Sequence, residues 1–528
     1  MQRRNFMQAA LLAAGATGSG GGHAAPATDT VAEQSVAQLQ AAMQAQRVRA
    51  SDLVSAYLRR IQRLDRAGPR LNAVIELNPD AMAIAKALDA ERQAKGPRGP
   101  LHGIPVLLKD NIATADKMLT SAGSLALTHG PAAHDAHLVT RLRAAGAVIL
   151  GKTNLSEWAN MRSTRSTSGW SARGGLTRNP YALDRNPSGS SSGSGSAIAA
   201  SLAAIAVGTE TDGSITSPAS VAGLVGMKPT VGLVSRAGVI PIAHSQDTAG
   251  PMTRTVADAA ALLTVLAGTD PDDSATEDAD RHARDFTKSL RPDALKGKRL
   301  GVVRNQFAAI GEWIAPVVEA QLKVLQAQGA TLVEVPEIPN TAKYAETELT
   351  VLLFELKHGL AQYLQRYAPN APVQSLADII AFNQREHTRE MPYFGQEHFV
   401  TAQAKDGLDA SAYREALDNN LRFARAEGID QVLREHQLDA LVAPTGGTPW
   451  LTDLVNGDAP GPSFTTPAAV AGYPHITVPC GQVWGLPVGL SFVGTAWTDG
   501  DLLAMAYAYE QASLQRKPPS YAKTKNPG

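Results

Sequence analysis

Cysteine is almost absent from this chain: Cys480 is the one thiol in 528 residues. A single thiol excludes an intramolecular disulfide framework and a cysteine-cluster metal site. Histidine is scattered and never forms an H-E-x-x-H pair, so the sequence holds no zinc-hydrolase ligand set and no metal is expected. Neither charge sign is in excess, with 49 Lys+Arg against 49 Asp+Glu. That balance argues against a nucleic-acid partner, which would need a basic surplus to neutralise phosphates. Long apolar runs are missing too. The longest, Ala197–Val207, is interrupted by Ser201 and falls short of the roughly 18–20 residues that cross a bilayer, so no membrane span is expected.

What is present points to a large folded chain. Hydrophobic residues make up 44% of it, enough for a sizeable core, while 46 Gly and 32 Pro are too few for a collagen-like or disordered polymer. The first residues read differently from the rest. MQRRNFMQAALLAAGA places Arg3-Arg4 ahead of Phe6 and a weakly apolar Ala/Leu stretch, with small residues Ala24 and Ala25 after a Gly/Ser patch. This pattern predicts a twin-arginine signal peptide over 1–25, a mature domain over 26–528 and a periplasmic destination. The alternative is a frayed N-terminal helix on a cytosolic protein.

Beyond the leader, helical and strand patterns alternate without a linker or an internal repeat. Helices are predicted over Ser35–Gln46, over Ala50–Asp65 with Ser51 as N-cap, over Ala81–Arg92 and around Val317–Gln328. Leu71–Leu77, GIPVLLKDN, AVILG, KRLGVV, ATLVEV, DALVAP and HITVPCG read as strands, several of them apolar throughout. The fold class is therefore α/β with a largely covered sheet. Asn340–Glu435 is helical in pattern and is expected to form a helical cap.

Three local patterns compete for the chemistry. Gly146-Ala-Val-Ile-Leu-Gly151-Lys152-Thr153 satisfies the phosphate-binding G-x-x-x-x-G-K-T pattern, but the four residues between its glycines are themselves strand-like. Gly146 instead ends a helix, and Gly151-Lys152-Thr153 reads as the turn after the strand. Gly189-Ser190-Ser191-Ser192-Gly193 satisfies the G-x-S-x-G elbow, yet Tyr181–Ser188 ahead of it reads as loop where a strand is required. The same Ser/Gly run could be a flexible linker. Against that, it leads directly into the helix-forming Ala197–Val207 and then a second Gly/Ser turn from Gly208 to Ser214. Backbone amides gathered in two such turns suit an oxyanion.

LHGIPVLLKDNI, GAVILGKTNLSEWA, NPSGSSSGSGSA, GTETDGSITSPASVAGLVGMKPTVGLVSRAG and SQDTAGPMTRTVADAA occur in this order over Leu101–Leu263. Together they resemble the amidase signature family, with weaker similarity from about Val36 to Leu490. The TETDGS and GSSSGSG variants look most like its peptide amidase branch, which removes the C-terminal amide of peptides. The resemblance implies one α/β domain, a mixed central sheet covered by helices on both faces, and a Ser, cis-Ser, Lys triad. It places the nucleophile on Ser214, the bridging serine on Ser190 and the base on Lys109. It also implies an oxyanion hole from the amides of Thr211, Asp212, Gly213 and Ser214, and a cis peptide between Gly189 and Ser190, with Ser191 as a supporting donor. Burial after Val106-Leu107-Leu108 would lower the Lys109 pKa and free its lone pair, so neither cofactor nor metal is required.

The chain departs from the family pattern at Asp212, where a glycine is usual and a carboxylate would repel a developing oxyanion unless engaged elsewhere. Thr216 stands where Arg is common, and Ser188 and Ser192 replace glycines. The expected activity is hydrolysis of a carboxamide, in the first place the C-terminal amide of a peptide, to acid and ammonia through an acyl-enzyme, with a peptide or small amide as substrate and no obligatory protein partner. Alternatives are a small-molecule or fatty-acid amide hydrolase, one component of a glutamine amidotransferase, or a catalytically silent binding protein.

Overall fold

Lys109 and Glu210 end two neighbouring parallel strands inside the sheet, which brings sequence-distant loops together at the C-terminal ends of those strands. The structure is a computed structural model that describes residues 30–525, so the expected signal segment 1–25 lies outside the described residues. The strands are β1 (Val74–Leu77), β2 (Pro105–Lys109), β3 (Val148–Thr153), β4 (Trp170–Ser171), β5 (Gly175–Leu176), β6 (Ile205–Glu210), β7 (Val225–Lys228), β8 (Thr248–Thr253), β9 (Arg299–Val303), β10 (Thr331–Val335), β11 (Ala440–Pro444), β12 (His475–Val483) and β13 (Leu486–Val493). Eleven of them make one sheet in the order β1-β3-β2-β6-β8-β7-β12-β13-β11-β9-β10, and β4 and β5 pair separately.

The sheet is mixed. Strands β3, β2 and β6 run parallel, as do β11, β9 and β10, while the strands between these two groups pair antiparallel. The parallel groups need crossover helices that cover the sheet, and β2, β3 and β6 are buried at every position. Ala81–Lys95 packs on β3, Val256–Leu266 on β8, and Ala315–Ala327 and Asp499–Ser513 on β12. The α/β class and the mixed sheet are as the sequence leads one to expect. The 340–435 segment is a helical layer: Thr341–Tyr367 packs on Glu397–Gln403 and Ser411–Ala424 around a small core of Val351, Phe354, Tyr413 and Ala416.

Several expectations are corrected. Ala197–Val207 is not one helix: the helix spans Ser192–Ala199, inside the Ser/Gly run, and β6 begins at Ile205. The segment ends its helix in a left-handed turn: Ser201 has φ +53°, and the Ser201 and Leu202 amides bond back to the carbonyls of Ile198 (3.1 Å) and Ala197 (2.8 Å). Arg60 donates to the carbonyls of Ala200 (2.7 Å) and Ser201 (2.8 Å), and Arg254 to those of Ile198 (3.2 Å) and Ala203 (3.1 Å). These buried guanidiniums satisfy carbonyls that a continued helix would have bonded itself. Gly208-Thr209-Glu210 is accordingly strand, not turn.

Gly151-Lys152-Thr153 likewise continues β3 and is not a turn. A Cβ on Gly151 would lie 2.4 Å from the Glu76 carbonyl oxygen, so the glycine permits close approach of β1. Lys152 is buried and donates to Ile112 O (2.6 Å) and Thr120 Oγ1 (2.9 Å), which gives it a structural task in place of a phosphate. Ser51 lies inside its helix, where its hydroxyl bonds Asp89 (2.6 Å); the N-cap residue is Arg49, whose amide bonds Asp52 (2.9 Å).

Candidate active site

The Ser/Gly run is packed, not flexible. All eight residues of the Ser192–Ala199 helix are buried, and small side chains let it sit against neighbouring backbone. A Cβ on Gly193 would lie 2.3 Å from Ala73 O and 2.4 Å from Asn154 O, and one on Gly189 only 2.1 Å from Ser156 Oγ. No such Cβ fits, which explains the glycines and rejects the linker reading. Gly189–Ser190 is a cis peptide, and the Ser190 carbonyl accepts from the Ser156 amide at 3.1 Å.

Lys109, Ser190 and Ser214 come together. Lys109 Nζ donates to Ser190 Oγ at 2.7 Å, and Ser190 Oγ donates to Ser214 Oγ at 2.9 Å. Lys109 is fully buried, and its amine also contacts Thr209 through Oγ1 (2.9 Å) and O (3.2 Å). Burial pulls its pKa down to about 7, against the upward pull of the Asp247 and Glu210 carboxylates. Near neutral pH the amine is therefore neutral in a substantial fraction of molecules. Ser214 retains slight exposure, 8%, while Ser190 has none.

Ser191 belongs to the scaffold of this trio. Its hydroxyl donates to Thr209 O (3.1 Å) and accepts from Thr209 N (3.2 Å), and its own amide donates to Ser214 O (3.2 Å). The residues ahead of it form no strand, so the elbow reading fails on geometry.

The turn Thr211–Ser214 follows β6 directly. Gly213 has φ +72°, the left-handed region that glycine enters freely, and it lies against Thr465. Glu210 holds the far side of Ser214: its carboxylate accepts the amides of Ile215 (2.8 Å) and Thr216 (2.9 Å) and the Thr216 hydroxyl (3.1 Å). Thr216, where the family often has Arg, thus serves as a partner of Glu210. Asp212 is engaged elsewhere, as the departure requires, because Thr466 Oγ1 donates to its carboxylate at 2.6 Å. Burial raises the Asp212 pKa, and the hydroxyls of Thr465 and Thr466 oppose the rise. Glu210 is also raised by burial, with Lys228 as its cationic counterweight.

Sequence reasoning did not single out Thr209, Glu210, Gln246 or Asp247. All four lie within the family-like motifs, but their roles depend on partners in other segments. Asn111 Nδ2 supports the same cluster by donating to Thr209 Oγ1 at 3.0 Å. Among the described residues no group of three or more His, Cys, Asp or Glu is placed to hold a metal, and no helix is long and apolar enough to cross a membrane.

The arrangement can move a proton from one serine to a buried amine through a second serine. A sequence model of the family described as Amidase matches residues 52–503. A probable amidase of Arabidopsis thaliana is 42% identical over 504 residues, covering 94% of this chain and 93% of its own. A putative amidase of Schizosaccharomyces pombe is 36% identical over 532 residues, with 93% and 87% covered. Among solved structures, the native peptide amidase of Stenotrophomonas maltophilia aligns at 55% identity with a TM-score of 0.89, covering 93% of this chain and 99% of that one. A peptide amidase solved with the competitive inhibitor chymostatin aligns at 55% identity and a TM-score of 0.90, with 93% and 100% covered.

Proposed function

The chain belongs to the amidase family and is thus a hydrolase acting on amides, and from that premise we propose that it removes the C-terminal carboxamide of peptides through an acyl-enzyme on Ser214. The observation that carries this reading is the continuous hydrogen-bond path from Lys109 through Ser190 to Ser214. The peptide substrate is supported by 55% identity to the Stenotrophomonas maltophilia peptide amidase.

The neutral Lys109 amine accepts the Ser190 proton as Ser190 Oγ accepts that of Ser214. Ser214 Oγ then bonds to the amide carbonyl carbon, and the carbonyl oxygen gains the negative charge. In this reading the backbone amides of Thr211, Asp212, Gly213 and Ser214 receive that charge, and donors aimed at an oxyanion typically supply about 3–4 kcal/mol each. The Lys109 ammonium returns a proton through Ser190 to the departing nitrogen, the C–N bond breaks, and ammonia leaves. Water, deprotonated by the same relay, attacks the ester and releases the peptide acid and free Ser214.

Export is part of the proposal. It rests on Arg3-Arg4 and the weakly apolar segment after them. Replacing both arginines with lysine is expected to strand the protein in the cytoplasm; normal periplasmic levels of that variant would reject the twin-arginine route.

Ammonia release from peptide amides, from free small amides and from fatty-acid amides tests the substrate. The expected order places peptide amides first. Turnover of small or fatty amides with peptide amides untouched would overturn the peptide reading and leave the amidase chemistry standing.

A further inference from the structure

Two adjacent residues grip the start of the Thr211–Ser214 turn. Asp247, just before β8, accepts the Thr211 hydroxyl at Oδ1 (2.5 Å) and the amides of Ile242 (2.9 Å) and Ala243 (3.0 Å) at Oδ2. Gln246 Nε2 donates to the Thr211 carbonyl at 3.3 Å and to Glu348 on the helical layer at 2.9 Å. Thr211 is thereby fixed at both its side chain and its backbone, three residues before the nucleophile.

We propose that Asp247 is a positioning residue for amide hydrolysis, acting through Thr211 on the turn that carries Ser214 and through a buried negative charge on Lys109. The inference rests on the assignment of Lys109 as base and Ser214 as nucleophile.

The two effects are separable. Pinning the Thr211 hydroxyl holds the turn in register with the reacting carbonyl, where a displacement of about 1 Å can cost on the order of 100-fold in rate. The charge acts on the base. Burial disfavours the Lys109 ammonium and so weakens the amine as a base, and the carboxylates of Asp247 and Glu210 counter it. Burial raises the Asp247 carboxyl only to about 6, so it is ionised where Lys109, at about 7, loses its proton. Other charged groups face this pair. Arg236, itself bonded to Asp273, stabilises the Asp247 carboxylate, and Glu210 is flanked by Lys228 and Asp212. Removing the Asp247 charge leaves Glu210 opposing burial, so the Lys109 ammonium is disfavoured further and its pKa falls.

Asp247→Asn keeps size and an acceptor but removes the charge, whereas Thr211→Val removes the hydroxyl and leaves the charge. Steady-state kinetics of both in the full chain with a peptide amide, from about pH 5 to 9, with thermal unfolding as a fold control, test the proposal. Both variants are expected to lower kcat by at least about tenfold with little change in KM. Asp247→Asn alone is expected to move the acid limb of kcat/KM to lower pH, by about half a unit or more. A lowered kcat with that limb unmoved would make Asp247 a mere structural brace and overturn the proposal, as would wild-type kinetics. If Asp247→Asn does not fold, an unchanged kcat in Thr211→Val overturns it instead. The underlying mechanism is tested separately: turnover surviving in Ser214→Ala would remove the base and nucleophile assignments whatever Asp247 does.

Discussion

Lys109 reaches Ser214 through one hydroxyl, with Ser190 Oγ 2.7 Å from the amine on one side and 2.9 Å from the Ser214 hydroxyl on the other. In the proposed mechanism the base and the nucleophile thus share a proton path with no histidine in it, which gives the enzyme the pH behaviour of a buried amine.

The Lys109 pKa is lowered from 10.5 to about 7 by burial, and in the proposed mechanism the working form is the deprotonated one. The rate is therefore expected to rise with pH through about 7 and to flatten above it, as initial rates across that range would show. Lys109→Arg should be nearly as damaging as Lys109→Met, each costing at least the roughly 10²–10⁴-fold typical of general acid–base catalysis, because a guanidinium stays protonated. Near-normal activity in the arginine variant would make Lys109 an electrostatic support and end the serine–lysine mechanism.

Ser214→Ala should abolish both turnover and covalent labelling by a serine-reactive fluorophosphonate, with the unfolding midpoint unchanged because the hydroxyl lies at the edge of the core. Ser190→Ala should retain slow labelling, since the nucleophile remains while its proton path is cut. Equal labelling of the wild type and Ser214→Ala would locate the nucleophile elsewhere.

The packing at Gly193 makes a stability prediction. Gly193→Ala drives a methyl group into the Ala73 and Asn154 backbone, which cannot yield as a side-chain tip could. We expect a loss of about 1–3 kcal/mol or more, measured by denaturant unfolding, and a fall in activity as the Ser190 loop shifts. A neutral effect would mean that this helix is more loosely seated than the distances require.

Arg162 and Glu157 form a fully buried ion pair at 3.0 Å, with the guanidinium 4.4 Å from the Phe394 ring centroid and the Ala172 amide 2.6 Å from the Glu157 carboxylate. Burial and the neighbouring Glu390 push the Glu157 carboxyl well above the usual carboxylate range against the pull of Arg162, so Arg162→Met should cost about 3–5 kcal/mol at alkaline pH, where Glu157 must stay ionised, and less where it can take up a proton. Adding Glu157→Gln should recover part of the loss, and a double variant no more stable than Arg162→Met would show the pair to be uncoupled.

The site was legible where its residues lie in short contiguous runs. Lys109, Ser190 and Ser214 each sit in a family-like motif, and the apolar run before Lys109 already implied its burial. Asp247 and Glu210 were not legible, because a carboxylate's role depends on partners that only the fold supplies, such as the Thr211 hydroxyl and the Ile215 amide. The fold followed the same division. Apolar strands such as β2 and β3 were readable from pattern. Strands β7 and β8 were not, because VGMK and TAGPMT carry Gly, Pro and Lys at buried positions that resemble loop. The helix break at Ala200 escaped detection because nothing in the apolar pattern marks Ser201 as a left-handed residue, and the arginines that bond the freed carbonyls lie far away in sequence.

The parallel pairing of β2 with β6 also sets when the site can exist. Lys109 and Thr209 are 100 residues apart, and the hydrogen bonds that join the Ser190 loop to Lys109 and Thr209 need those strands paired. Closing so long a loop is entropically slow compared with forming local helices. Reactivity of Ser214 toward a covalent probe is therefore a clock for late assembly. On the proposed mechanism, a chain released during synthesis before its Ser214 turn has been made would hold the lysine but no nucleophile, and a truncated product of that length is expected to be inactive on amides.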